Sequence, residues 1–171
     1  MKILKYELVE ADFKPWDPKF ISVADSVCEL IRTQELDVIH IGSTSFNVGG
    51  KGIIDLSVLY PAGLLSIAIE RLYQLGFQDQ TGAKPFPPNR PRKDGAVIVN
   101  GQRFLLHVHV IEKDSDEHRR QIQYKEYMLN EPSARLEYEA SKKAILAAGV
   151  TEQGAYGKLK SPFVKSVLAG F

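Results

Sequence analysis

Apolar residues recur at three- and four-residue steps from Pro18 to Arg32, at Phe20, Ile21, Ala24, Val27, Leu30 and Ile31. That period predicts an amphipathic helix with Pro18 in its first turn. A short β-rich run, Leu36 to Ile41, follows, and then a loop of small residues from Gly42 through Gly50. Ile53 to Tyr60 is apolar except at Asp55 and Ser57, as expected of a strand covered on both faces, and Pro61 stops it. Ala62 to Leu75 returns to helical spacing through Leu64, Leu65, Ala68, Ile69 and Leu72; Gly76 terminates it and Phe77 begins another short extended piece.

The segment Thr81 to Gly95 contains Pro85, Pro87, Pro88 and Pro91 together with Lys84, Arg90, Arg92 and Lys93, and reads as an irregular basic loop. Ala96 to Val99 and Arg103 to Ile111 flank Asn100-Gly101, the preferred dipeptide of a tight primed turn, and so predict a β-hairpin. Asp114 or Ser115 can cap a helix reaching Asn130. Pro132-Ser133 restarts one to about Ala148, Gly149 ends it, and Thr151 opens a last helix that Ser161-Pro162 kinks or restarts. This order predicts an α+β fold with a mixed sheet flanked by helices and a helical carboxyl-terminal section closing one side of a cleft.

At 171 residues the chain is expected to be a single domain, 1–171, and 44% hydrophobic with 25% charged residues excludes disordered and fibrous classes. The 22 Lys and Arg nearly cancel the 21 Asp and Glu, so no global field attracts nucleic acid or anionic lipid, and bulk nucleic-acid binding is not expected. The sequence has a single cysteine, Cys28, no signal-peptide-like stretch between Met1 and Glu10 and no membrane-spanning run; a cytoplasmic protein is expected. Cys28 falls on the apolar face of the first helix and reads as core.

The strongest chemical signal is His40-Ile41-Gly42-Ser43-Thr44-Ser45, followed by Lys51 and by Asp55 in the next strand. A glycine lets the backbone approach a phosphate, hydroxyl and N–H groups bind its oxygens, and a lysine adds compensating charge. Small polar residues also make plain turns, but a carboxylate in an apolar strand is costly unless it is paired, hydrogen-bonded or bound to a cation. Asp55 therefore either holds a divalent cation or has a structural partner such as Lys51 or Arg103. His107 and His109, two apart in a predicted strand, project from one face and can converge on a ligand. With Asp55 they would favour zinc, manganese, iron or nickel over magnesium; the alternative is hydrogen bonding within the fold. By the same alternation His40 shares a face with Gly42, as an acid, a base or a structural hydrogen-bonding group.

Gly42-Ser43, an intervening segment and a strand carrying Asp55 resemble the polymerase-beta-like nucleotidyltransferase superfamily. That resemblance implies a Gly-Ser loop on nucleotide phosphates and strand carboxylates on magnesium. Ser57 stands where that superfamily places a second acid. The chain is more closely similar to the GrpB family. The similarity runs through His40 to Ser45, Lys51, Ile53-Ile54-Asp55 and His107-Val108-His109-Val110, then Arg119, Lys125, Tyr127, Tyr138, Lys142, Tyr156, Lys160 and Phe163. Asn47-Val48-Gly49-Gly50 and Gly52 depart from the family's more usual prolines.

The resemblance implies a nucleotide or related phosphorylated small molecule as partner. Gly42, Ser43, Thr44, Lys51, Arg119, Lys142 and Lys160 would be its ligands, Asp55 and His40 the catalytic groups, and Asp55, His107 and His109 would hold a divalent metal, whether magnesium, manganese or zinc. Metal-dependent nucleotidyl transfer, phosphate hydrolysis and non-catalytic phospholigand sensing are the three readings, and Ser57 favours the last. Arg90, Arg92 and Lys93 could reach over a polyphosphate, and Tyr127, Tyr138, Tyr156 and Phe163 could stack on a base, although helix packing explains aromatics at such spacing. The chain has no P-loop, no dinucleotide-binding glycine pattern, no zinc-finger cysteine set and no nucleophile elbow.

Overall fold

The structure, a computed structural model, describes residues 1–10, 12–81, 84–149 and 163–171. In chain order its elements are α1 (Lys19–Ile31), β1 (Asp37–Ile41), a 3₁₀ turn (Ser43–Ser45), β2 (Ile54–Tyr60), α2 (Leu65–Leu75), β3 (Gln78–Asp79), β4 (Arg92–Val99), β5 (Gln102–Glu112), α3 (Asp116–Asn130) and α4 (Pro132–Ala147). A further helix, α5, covers 163–169. The predicted helix opened by Thr151, and the Ser161-Pro162 step, lie outside the described residues.

The strands form one mixed sheet in the order β1-β2-β5-β4-β3. β1 and β2 are antiparallel, β2 and β5 parallel, and β5, β4 and β3 successively antiparallel. Alternation along the central strands divides their side chains between two very different surfaces. Leu56, Val58, Leu106, Val108 and Val110 meet Phe20, Val23, Val27 and Ile31 of α1 and Ala68 and Leu72 of α2 in the main core. Each fully buried Leu, Ile, Val or Phe there contributes roughly 1.5–3 kcal/mol. The opposite surface presents Asp55 and Ser57, in register with His107 and His109. A polar face thus rests on a rigid, apolar-backed sheet.

Local chemistry sets the element ends. Gly76 closes α2 in the left-handed conformation, with its N–H and that of Phe77 on the last carbonyls. Asn100 and Gly101 both have positive φ, at 51° and 79°, as the primed turn of the β4–β5 hairpin requires. Ser115 caps α3, its Oγ accepting from the His118 N–H, with Asp116 and Glu117 in the first turn. Cys28 is buried, and burial pushes its thiol up to about 11. Among the described residues no helix is long and apolar enough to cross a membrane.

The basic segment is shorter than its composition suggests. β4 begins at Arg92, so Arg92 to Gly95 are strand rather than loop. Their charges are neutralised in place: Arg92 pairs with Asp94 on one face, and Lys93 with Asp79 and Tyr73 on the other. Hydrophobic patterning misses a strand whose buried polar groups are paired in this way.

The helical half packs on the loop after β1. Phe46, Val48, Met128, Ala134 and Tyr138 form a second cluster, joined by Tyr124, Phe163 and Val164. Tyr138 stacks on Phe163, with centroids 4.7 Å apart, and Tyr127 meets Phe171 edge-on. These aromatics serve packing; Tyr156 lies outside the described residues.

Candidate functional site

Gly42 leaves β1 with φ 74° and ψ −177°, a region essentially restricted to glycine. A Cβ on it would lie 2.8 Å from Asp55 Oδ2, so the chain there runs directly against the acid. The turn that follows is braced by its own bonds. Ser45 donates to the Gly42 carbonyl through both N and Oγ, and Phe46 and Val48 N–H groups donate to Ser43 O. Trp16 Nε1 donates to Thr44 O at 2.8 Å. Thr44 is buried and its Oγ1 shares a 2.8 Å hydrogen bond with His40 Nε2. Ser43 is half-buried, and its hydroxyl takes part in none of the side-chain hydrogen bonds among the described residues.

His40 does not face Asp55. It is in register with Leu56, whereas Asp55 is in register with Ile41, so alternation turns His40 to the other surface of the sheet. Burial first, and then the Lys125 ammonium, push its imidazole down to about 4. Lys125 Nζ donates to the His40 carbonyl at 2.8 Å, tying α3 to the end of β1.

Asp55, His107 and His109 do share a surface. Asp55 Oδ1 lies 3.7 Å from His107 Nδ1 and 3.4 Å from His109 Nε2. The three side chains are 29%, 11% and 19% exposed, so the acid is the most open of them. His107 Nε2 shares a 3.0 Å hydrogen bond with the hydroxyl of Tyr6. Burial holds the His107 imidazole well below its ordinary range, against the opposing pull of Asp55. Lys51 is half-buried and close enough for its charge to act on His107.

Several contacts on this surface leave no sequence signal. Tyr6 reaches it because the amino-terminal segment pairs with β4 through Leu4 and Ala96. Arg92 and Asp94, in register with His109 and His107, form a bidentate pair at 2.9 and 3.1 Å. Asp94 is fully buried, and desolvation raises its pKa despite the guanidinium. Phe86 stands edge-on to His109, 5.4 Å between centroids, with Arg92 over its ring. Ser57 is fully buried, and its hydroxyl donates to Gln121 Oε1 of α3 at 2.7 Å.

Other expected ligands are held elsewhere. Arg119 is mostly exposed and bonds to the Asp114 carbonyl and the Asp116 carboxylate at the start of α3. Lys142 is buried, with its Nζ 3.4 Å from Gly49 O and 4.3 Å from the Tyr138 ring centre. Lys160 lies outside the described residues. Arg103, a candidate partner for Asp55, instead donates to the carbonyl of Lys5.

Magnesium demands near-octahedral oxygen ligation. Among the described residues, one carboxylate beside two imidazoles, with Ser57 bonded to Gln121 and Asp94 closed by Arg92, does not fit that ion. The nitrogen donors suit a first-row transition metal. Yet no group of three or more His, Cys, Asp or Glu among the described residues is placed to hold a metal ion.

A family model described as GrpB protein matches residues 6–169. No curated protein matches the chain. Among solved structures, the Cid1 poly(U) polymerase with magnesium and 3'-dATP bound aligns with a TM-score of 0.51 at 13% identity, over 74% of this chain and 41% of that one. Cid1 in complex with the UTP analogue UMPNPP gives 0.50 at 14% identity, over 74% and 40%. The chain therefore spans about two fifths of the length of these proteins. The likeness shows the fold: the α+β arrangement expected from the sequence is nucleotidyltransferase-like.

Proposed function

Since the chain belongs to the GrpB family, we propose that it binds a nucleotide or related phosphorylated small molecule between the Gly42 turn and the polar face of β2 and β5. The observation that supports this most directly is the apposition of Gly42 and Asp55. A glycine kept by both conformation and contact puts a rigid small-residue turn beside a part-exposed acid. Ser43 offers its hydroxyl there, and Lys51 supplies positive charge near His107. The hydroxyl of Thr44, committed to His40, supports the turn instead.

Binding without transfer is the form of this reading that Ser57 favours. Where catalysis would use a second carboxylate, the residue is neutral, fully buried and bonded to Gln121. The chain would then act as a phospholigand-binding accessory or sensing domain.

Isothermal titration with ATP, UTP, ADP and pyrophosphate tests the proposal. Saturable binding to the wild type, weakened about tenfold or more in Ser43→Ala and Lys51→Ala, is expected, with no loss of label from [γ-³²P]ATP or [α-³²P]ATP. Absence of binding to every member of the panel overturns it, and turnover of either label rejects the non-catalytic form.

A further inference from the structure

We propose that a hollow beside the β3–β4 edge of the sheet, lined by Phe86, receives the nucleobase of the ligand whose phosphates lie at the Gly42 turn. The proposal rests on the phospholigand reading above and names the class of that ligand as a nucleotide. The hollow measures about 310 Å³. Small-molecule sites run from roughly 300 to 1,000 Å³, so this one suits a single planar ring with its sugar. Pro85, Phe86 and Pro91 supply its apolar lining. Every base has a π-face, and an aromatic side chain is the surface on which it stacks.

Phe86 and Arg92 line the hollow and also border the polar face of the sheet. Arg92 is in register with His109, and its guanidinium carbon lies 5.8 Å from the centre of the Phe86 ring. The Phe86 ring in turn meets the His109 ring edge-on at 5.4 Å, and His109 Nε2 is 3.4 Å from Asp55 Oδ1. Two contacts therefore connect the hollow to the acid beside the Gly42 turn, a span bridged by the sugar of one nucleotide.

Charge decides which end takes which part of the ligand. Arg92 is held bidentately by Asp94, and Lys93 by Asp79 at 2.7 Å. Both cations lining the hollow already face carboxylates, so it favours an uncharged ring over a phosphate. This reassigns the basic segment. Arg92 and Lys93 frame a base rather than reach over a polyphosphate.

The wall is built before any ligand arrives. Gln80 Nε2 donates to the Lys84 carbonyl at 3.3 Å, and the Arg90 N–H donates to Pro87 O at 3.0 Å, closing a turn. Tyr60 of β2 donates its hydroxyl to Asn89 O at 2.6 Å, and the Val110 N–H of β5 donates to Pro91 O at 2.8 Å. A loop pinned to two central strands loses little freedom on binding.

The test compares two probes on the full chain. The triphosphate of 2-aminopurine riboside carries a base whose fluorescence is quenched by stacking, and tripolyphosphate carries none. The wild type should quench the nucleotide and bind it more tightly than tripolyphosphate. Phe86→Ala should weaken the nucleotide about fivefold or more and leave tripolyphosphate unchanged, Phe86→Tyr should restore the wild-type value, and Lys51→Ala should weaken both probes. Equal affinity of the wild type for the two probes, or a Phe86→Ala variant that binds the nucleotide as the wild type does, overturns the base subsite while leaving the phosphate reading intact. Quenching of the unphosphorylated riboside that depends on Phe86, with no binding of tripolyphosphate, supports the hollow and rejects the phosphate reading. Absence of binding by either probe and by the riboside overturns both.

Discussion

Gly42 and Asp55 occupy adjoining space so tightly that a single methyl group on the glycine would lie 2.8 Å from the aspartate's Oδ2. The relationship links the turn after β1 to the middle of the sheet, and it makes the backbone at Gly42 sensitive to the smallest substitution. Gly42→Ala should lower unfolding free energy by about 1–3 kcal/mol, because the residue combines that contact with φ 74° and ψ −177°. Urea denaturation provides the check; a change of less than about 0.5 kcal/mol would contradict the account.

Arg92 and Asp94 form a buried pair whose halves should differ from the whole. Removing the arginine leaves a fully buried carboxylate without its bidentate partner, so Arg92→Ala should cost about 3–5 kcal/mol at neutral pH. Arg92→Met with Asp94→Leu should recover most of that loss. Burial already raises the Asp94 pKa, so the folded state holds this proton more tightly than the unfolded chain. The penalty in Arg92→Ala should accordingly shrink as pH falls through the folded-state pKa towards the unfolded one. A double-mutant cycle measured at two pH values tests both parts.

His40 should make the protein acid-sensitive. Its imidazole titrates at about 4 in the fold against 6.5 ordinarily, so between those values the unfolded chain holds a proton that the native state lacks. Stability therefore falls as pH drops through this window and is retained above 6.5, with His40 accounting for about 3 kcal/mol. His107 acts in the same direction. His40→Gln should show a flatter stability profile between those pH limits, and an unchanged slope would refute the assignment.

Ser57 and Gln121 join the sheet to α3 through one hydrogen bond. Ser57→Ala should cost about 1 kcal/mol, whereas Ser57→Asp, which introduces a charge at a fully buried position, should cost several-fold more. Restoring an acid here is thus expected to loosen the fold rather than create a two-carboxylate metal centre. Chemical denaturation of the two variants side by side decides the order.

The elements most legible in the sequence are those whose signal is local. The stripe along α1, the Asn100-Gly101 turn and the Ser115 cap each follow from neighbouring residues, and so does the common face of His107 and His109. The start of β4 is hidden because Arg92, Lys93 and Asp94 look like a solvated run until Asp79 and Tyr73 supply partners for Lys93. That His40 turns away from Asp55 follows from its register with Leu56, and register depends on strand pairing across the loop. Tyr6 and His107 are 101 positions apart and Ser57 and Gln121 are 64 apart, separations at which no periodicity conveys contact.

Lys142 joins α4 to the glycine segment that precedes β2. Its buried ammonium rests against Gly49 O, Glu139 accepts the Gly49 N–H, and a Cβ at Gly50 would fall 2.8 Å from Nζ. One turn of α4 is thus a peg beneath the segment between the Gly42 turn and β2. The space beside Gly49 and Gly50 is thereby filled by α4, so a side chain larger than hydrogen at either glycine would push against that helix.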